Sequence, residues 1–498
     1  MYSVLSSAEQ RQLRLLHILY RSTDWITMIE LAEAIDCSDR ILSKDLSYIE
    51  NNFSSYLTIE RSKFGIRGIS APSVDYYTFV RLYMRDSVAF NILEQIFFHP
   101  DISTQEISDE IFVSPSTVYR NINLLNQALR SQFNFEISNS PYRFVGPETN
   151  IRLFFMFFFR EKYSPLEWPF EEVNLQYCEL FLSTAWKVTC HQYTNAWFQA
   201  GKLLLAIGII RTQKGHLIQS KDIPLFKGIY QDLIDELEKN DDLKNMEQNF
   251  NFKLNLTNAV QLFMPVLNQN IYIDLRNFQA EISERPLIQR SVEYLNQFLD
   301  TICLEAHVHI EHRDRLILSL HNYAFLTTVA DIQKDSLLID RKADYIETMS
   351  HFYPDLYDLI VKESEHYFQS IGLKPLPYGL TNFIYALYTG WEKLHTQMHL
   401  AHQKLVAYIV SNYSSDHAHR IQDALNNRFG LVIDFHIYKQ FPLKRKLIEN
   451  LKCDLIISTF DMPHDFKIPN LYVQTLPTEQ DYNWLAAFLK QKRQQERH

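Results

Sequence analysis

TMIELAEAIDCSDRILSKDLSYIE, residues 27–50, decides the architecture. Thr27 stands three residues before Glu30, the spacing at which a hydroxyl caps a helix while the carboxylate reaches back to the cap's own N–H. Leu31 and Ile35 follow on one face, and Asp36-Cys37-Ser38 breaks the run. Beyond the break, Leu42, Leu46, Ile49 and Phe53 recur at spacings of 4, 3 and 4, one apolar stripe of a second helix. Leu57–Ser70 (LTIERSKFGIRGIS) then alternates and turns near Gly65, as a two-stranded wing does. With a further amphipathic stretch from about residue 8, the order is three helices and a hairpin: a winged helix-turn-helix over residues 1–70.

The pattern returns 76 residues later in STQEISDEIFVSPSTVYRNINLL, residues 103–125. Thr27 and Glu30 become Ser103 and Glu106, so the capping box recurs. Ile26 becomes Ile102, Ile35 becomes Ile111, and Ser38 becomes Ser114, with Pro115 at the first helical position. Leu42, Leu46, Ile49 and Phe53 become Val118, Ile122, Leu125 and Leu129. Glu60 and Arg67 of the wing become Glu136 and Arg143 without a gap. Two amphipathic helices can share one stripe by chance; caps, stripe and wing together indicate an internal duplication, with a second winged module over residues 71–150.

A helix-turn-helix lays its second helix in the major groove and offers short polar and cationic side chains to base edges. With the stripe inward, Arg40, Ser43, Lys44 and Ser47 are left outward in the first copy, and Ser116, Thr117, Arg120 and Asn121 in the second. Arg61, Lys63, Arg67 and Arg143 fall on the wings, where a cation meets phosphate or the minor groove. These twelve residues are the expected contacts to duplex DNA. The formal net charge of −10 gives no support from the chain as a whole, so the expectation rests on local architecture. A winged helix can also serve protein contacts.

From about residue 150 to 400 amphipathic or buried helical stretches dominate: Leu175–Gln192, Ala196–Thr212, Leu225–Lys239, Pro286–His307, Arg313–Ile332, Tyr353–Ile371 and Leu380–His399. Ile151–Phe159 (IRLFFMFFF) is too short to span a bilayer and contains Arg152, so it reads as a buried helix. A polar break near Asn277–Pro286 divides the region into domains 151–282 and 283–401. From residue 402 the pattern changes to strands at Leu405–Val410, Leu431–Tyr438, Asp454–Phe460 and Asn470–Leu476, alternating with helices at Asp416–Phe429, Lys444–Leu451 and Asp481–Lys490. That alternation specifies a small α/β domain with a parallel sheet over 402–498. The fold class is therefore mainly α and multidomain, with only 11 glycines disfavouring a glycine-rich β architecture.

Other chemistries find little support. The five cysteines are scattered, with no C-x-x-C pair, which fits a reducing compartment and neither a zinc ribbon nor a disulfide framework. The first twenty residues lack a long apolar segment and a small-residue cleavage site, so neither export nor membrane anchoring is expected. His307, His309 and His312, and again His395, His399 and His402, have suggestive spacing but no cysteine or H-E-x-x-H to complete a metal site; a solvated polar face is the expectation, with no metal and no cofactor. No phosphate-binding glycine loop occurs, and no enzyme activity is expected.

In order and length this layout resembles the Mga/AtxA-type, PRD-containing virulence transcriptional regulators of Gram-positive bacteria, most specifically in residues 27–50 and 103–125. The resemblance covers nearly the whole chain. It implies that the helical domains are PRDs, whose histidines the sugar phosphotransferase system phosphorylates, and that the last domain is similar to EIIB proteins of that system. His321, in RLILSLHNYAFL, has the setting of a PRD histidine after a leucine-rich helix; His216 and His191 flank the corresponding segment of the first PRD. An active EIIB carries a cysteine just after its first strand, whereas Ser411–Asp416 here has none, and Cys453 lies before a later strand. The resemblance therefore implies a cytoplasmic, dimeric regulator, with promoter DNA and phosphocarrier proteins as partners. A phosphoryl group adding about −1.5 to −2 charges would be the switch. The competing readings are an EIIB-type phosphotransfer component, against which the missing cysteine weighs, and an RNA-binding PRD antiterminator, against which the tandem winged repeat weighs.

Overall fold

Helix starts in the computed structural model fall where the capping chemistry puts them. It describes residues 1–22, 24–189, 195–218, 227–239, 242–255, 258, 261–262, 270–272, 275–328, 330–374, 376–401 and 404–495. Ser6 caps α1 (Ser7–Arg21), and Thr27 caps α2 (Met28–Ile35) in a reciprocal box with Glu30. After α3 (Asp39–Asn52), β1 (Leu57–Ser62) and β2 (Gly65–Ser70) pair antiparallel, and Ile26 adds a bridge to Ile66. Gly65 has φ +127°, and a Cβ there would stand 2.2 Å from the Ile26 carbonyl oxygen, so the wing tip tolerates only glycine.

The second module runs α4 (Tyr76–Asp86), α5 (Val88–Phe98), α6 (Thr104–Glu110), α7 (Pro115–Phe133), β3 (Glu136–Ile137) and β4 (Phe144–Val145). Its capping box, Ser103 with Glu106, and its bridge, Ile102 to Tyr142, keep the 76-residue offset. The wing does not keep it throughout. Glu60 pairs with Arg67 in the first copy, but Glu136 pairs with Val145 in the second, two residues from the ungapped expectation. The cause is α7, which runs on to Phe133 whereas α3 stops at Asn52, so β3 enters late. A shift of two preserves the inward face, which is why the hydrophobic pattern hid it.

Glu148–Lys162 forms α8, buried nearly all round as its sequence implied; Phe154, Phe155, Phe158 and Phe159 are among the largest fully buried side chains. Phe155 lies 4.5 Å from Phe97 and 4.9 Å from Phe144 between ring centroids, and Phe154 lies 4.9 Å from Phe133. One continuous core thus runs from both winged modules through α8 into the next four helices, and also takes in Ile332, Leu337 and Tyr378. Those four are α9 (Leu175–Thr189), α10 (Asn195–Gln213), α11 (Lys227–Glu238) and α12 (Asp242–Phe250); after them come helices Leu275–Ile282, Pro286–Ala306, Arg313–Leu326, Arg341–Phe352, Pro354–Ser370 and Pro377–Gly390.

Three expectations are corrected here. The supposed polar break at 277–286 is largely helix, because Phe278 anchors one face in the core. The helix read as Arg313–Ile332 ends at Leu326: the hydroxyls of Thr327 and Thr328 turn back onto the carbonyls of Ala324 and Phe325. The stretch read as Leu380–His399 is two helices, the second being Leu394–Ala401, with Lys393 at φ +61° between them.

The chain divides into two compact units, Met1–Phe298 with Arg313–Gly390, and Leu299–His312 with Trp391–His498. The second unit holds a parallel sheet of β5 (Leu405–Val410), β6 (Ile433–Ile437), β7 (Leu455–Ser458) and β8 (Asn470–Tyr472) in the order β6-β5-β7-β8. Helices Ser415–Phe429 and Glu479–Gln495 supply apolar side chains to one core of this domain. Among the described residues no helix is long and apolar enough to cross a membrane.

One polar residue sits on the inward stripe of α3. Asp45 is buried and ion-pairs with Arg11 Nε at 2.9 Å while accepting from Gln12 Nε2 at 3.0 Å; Tyr83 O–H donates to Gln12 in turn at 3.0 Å. Removing one partner of a buried pair strands the other charge, which costs about 3 kcal/mol. Asp45→Ala should therefore lower the first unfolding midpoint of the full chain in calorimetry, whereas Lys44→Ala, one residue away on the solvent side, should leave it unmoved.

Candidate nucleic-acid interface and phosphoacceptor histidines

Inward packing of Leu42, Leu46 and Ile49 leaves Arg40, Ser43, Lys44 and Ser47 all exposed on α3. Ser47 donates its hydroxyl proton back to the Ser43 carbonyl at 2.9 Å. On α7, Ser116 and Arg120 are exposed and Thr117 and Asn121 half-exposed. Ser114 caps this helix: its hydroxyl lies 2.8 Å from those of Ser116 and Thr117, and Asn121 Nδ2 donates to the Thr117 carbonyl at 2.9 Å. Arg40, Lys44, Arg120 and Lys63 make no ion pair with a described residue. They are cations held on rigid elements and open to an anionic partner.

The wing arginines are differently placed. Arg61 pairs with Glu50 at 2.9 Å. Arg67 is gripped by Glu60 at 2.6 Å and stacks 4.8 Å from the Trp25 ring, so it braces the wing as much as it charges it. Arg143 is exposed, 3.9 Å from Asp101. Lys63 lies 5.1 Å from the ring of Phe64 at the first wing tip. Sequence reading missed the exposed aromatics on the same elements: Tyr48 on α3, Tyr119 on α7, and Phe112 in the turn before α7. It also missed Asp45, although a helical wheel places it between Leu42 and Ile49.

His321 is fully buried. Its Nε2–H donates to the Asn270 carbonyl at 2.8 Å, so Nδ1 is the acceptor, taking the Ser291 hydroxyl proton at 2.8 Å; Tyr367 O–H donates to Ser291 at 2.7 Å. Asn322 beside it holds Tyr272 by both backbone groups, at 3.0 and 2.7 Å. Both imidazole nitrogens are thus engaged and covered. His216 is different: the residue is half-exposed, and its Nε2 is buried without a hydrogen-bond partner. Burial lowers its pKa, and the Arg211 guanidinium lowers it further. Arg211 and Arg152 share Glu148, Arg211 at 2.6 Å and Arg152 at 2.9 Å, and Arg152 also donates to the His216 carbonyl at 2.8 Å. His216 therefore neighbours two guanidiniums, of Arg211 and Arg152, and two carboxylates, of Glu148 and Asp101. His191 lies outside the described residues, as do residue 402 and the His399 side chain.

In the second unit, Ser411 and Asn412 follow β5. Asn412 N–H donates to Thr459 Oγ1 at 3.0 Å, and Ser414 caps the next helix. Burial and then Asp454 push the Cys453 thiol up, away from the thiolate a nucleophile needs.

Burial holds the His321 pKa down at about 4, against 6.5 for a free imidazole. Between those values the unfolded chain binds the additional proton, so stability falls as pH drops from 6.5 toward 4, by at most about 1.4 kcal/mol per pH unit. Thermal unfolding of the full chain between pH 7 and 5 should show a shallower pH slope in His321→Gln than in the wild type; equal slopes would show that His321 is not the titrating group.

Comparison with known proteins bears on the whole arrangement. Residues 6–64 match the HTH domain of the M protein trans-acting positive regulator (MGA), residues 73–159 the Mga helix-turn-helix domain, and residues 173–394 the MGA PRD domain. A putative trans-acting regulator of Streptococcus pneumoniae serotype 4 is 28% identical over 464 residues, covering 93% of this chain and 94% of its own. The capsule synthesis positive regulator AcpB and the anthrax toxin expression trans-acting positive regulator, both of Bacillus anthracis, are 20% and 22% identical, each over 96% of this chain and 98% of its own. Three matched domains of one family, in a chain aligned over more than nine-tenths of its length with such regulators, make this protein a member of the Mga/AtxA-type, PRD-containing transcriptional regulators of Gram-positive bacteria.

Proposed function

We propose that this regulator works in the cytoplasm, binding promoter duplex DNA with α3 and α7 as recognition helices. The observation that carries this reading is the repetition of one geometry: the same helix pair, twice, each time with polar residues and a matched cation, Lys44 and then Arg120, facing solvent on the second helix. Arg40, Ser43, Lys44, Ser47, Ser116, Thr117, Arg120 and Asn121 reach base edges and nearby phosphates, while Lys63 and Arg143 meet the flanking backbone. Arg61 and Arg67 contribute less, because Glu50 and Glu60 already offset them. In a salt-titrated binding assay on the full chain, Arg40→Ala with Lys44→Ala should weaken affinity and reduce the log–log salt slope by about two, and Arg120→Ala by about one, with melting unchanged. Unchanged slopes would refute the assignment for the helix concerned.

Its activity is set by phosphorylation of PRD histidines by phosphocarrier proteins, and here the order of candidates reverses. His216 is the better acceptor: the residue is half-exposed, its Nε2, though buried, is unengaged, and the guanidiniums of Arg211 and Arg152, which now share Glu148, neighbour the ring. His321 becomes an acceptor only after Asn270 and Ser291 release it. His191 stays a candidate on its sequence position alone. Incubation with the general phosphotransfer proteins and labelled phosphoenolpyruvate should give an acid-labile label that His216→Ala loses and His321→Ala keeps; the opposite pattern would restore His321 as the acceptor.

The C-terminal sheet is, on this proposal, an EIIB-like domain retained for self-association in a homodimer. The loop Ser411–Asp416 has no cysteine to phosphorylate, and the raised pKa of Cys453 makes that thiol a poor substitute.

A further inference from the structure

Phe112 is the residue on the winged modules that the fold least explains. It occupies the turn between α6 and α7 at φ +56°, in the left-handed region, with 93% of its surface exposed. The turn itself demands that conformation: Asp36, at the same place in the first copy, has φ +53°. An aspartate adopts it readily, whereas a bulky side chain is strained there. The backbone around it is pinned, since Val113 N–H donates to the Ser108 carbonyl at 3.1 Å and the buried Ser108 donates its hydroxyl proton to the Val113 carbonyl at 2.5 Å. The second module thus holds an aromatic ring in an unfavourable conformation, in water, with no other ring of the described residues stacked on it. Neither packing nor turn chemistry favours that choice over asparagine, aspartate or glycine.

Its position suggests what does. Phe112 lies two residues before Ser114, the cap of α7, and so at the end of the helix that carries Ser116, Thr117 and Arg120. In a helix-turn-helix that N-terminal end meets the base edges. The second module also carries more acidic than basic residues, so it has less phosphate attraction to draw on and more need of an apolar contact. The apolar feature of a major groove is the thymine methyl group, which a phenylalanine can cover. We propose that Phe112 is a specificity-determining residue that packs its ring on a thymine methyl at the rim of the groove entered by α7. The inference rests on the reading of α7 as a recognition helix.

The test uses the full chain and a duplex that it selects from a random pool. Phe112→Asn removes the ring, keeps the left-handed turn and adds no charge. Affinity should fall about tenfold with the salt slope unchanged, and the melting temperature should stay level or rise. Uracil scanning of the duplex, which deletes one methyl at a time, should find a thymine whose removal weakens wild-type binding and leaves Phe112→Asn unaffected. Arg120→Ala serves as the reference. If it loses affinity while Phe112→Asn does not, α7 binds DNA and the role given to Phe112 is overturned; if neither variant changes affinity, the reading of α7 itself falls. A Phe112→Asn protein with full DNA affinity but reduced transcription would assign the ring to a protein partner and overturn the proposal, as would a lowered melting temperature accompanying the loss of binding.

Discussion

A single buried helix, α8, ties the two winged modules to the helices that follow it. Five phenylalanines within twelve residues leave it almost no solvent face, so the polar groups buried with them must find partners inside. Lys162 reaches Glu94 at 2.6 Å and Asn91 at 2.8 Å, both on α5 of the second winged module. Arg152, with Glu148, ties to Arg211 on α10 and to Gln261. Glu161, whose carboxyl is pushed up by burial, accepts the backbone N–H groups of Leu337 and Leu338 at 2.7 and 3.0 Å. The requirement that buried charge be paired thus draws the second winged module, the first PRD helices and a segment of the second half of the PRD region onto one element.

The segment from Asp331 to Glu347 extends that connection. Asp331 accepts from Asn134, the left-handed residue that ends α7, at 2.9 Å, and its carbonyl takes a hydrogen bond from Asn150. Gln333 N–H bonds to the Gln132 carbonyl in the last turn of α7 at 2.7 Å. Further on, Arg341 stacks 3.6 Å from the ring of Tyr77, and Tyr77 O–H donates to Asp344 at 3.2 Å. The same segment follows directly on the helix that carries His321. The end of α7 and the helix that carries the buried histidine are therefore joined by a short run of chain, bonded at both ends.

Where the two histidines differ, the difference lies in what covers them. His321 is wrapped by Asn270, Ser291 and the ring of Phe278, each brought from a distant part of the chain, and by Phe325 one turn along its own helix. His216 stands just beyond α10, where the helix has ended and the cover is incomplete. The sequence setting favours His321 over His216; long-range packing is what covers His321.

Much of this protein could be read from its sequence because the signals are local. Capping boxes at Thr27 and Ser103, apolar stripes on α3 and α7, and alternation in β5 through β8 depend on residues a few positions apart, so the winged modules, the helical middle and the parallel C-terminal sheet were all legible. So were the outward faces of the recognition helices, since the stripe that faces inward defines its opposite. What depends on distant residues was not: the two-residue shift of the second wing, set by how far α7 runs on; the pairing of Arg61 and Arg67 with acids on neighbouring elements; and the burial of Asp45 and His321. Periodicity tells which way a side chain points from its own helix. Only tertiary structure decides what it meets there, because burial and charge pairing are properties of the whole neighbourhood, whereas capping and alternation belong to a short stretch of chain.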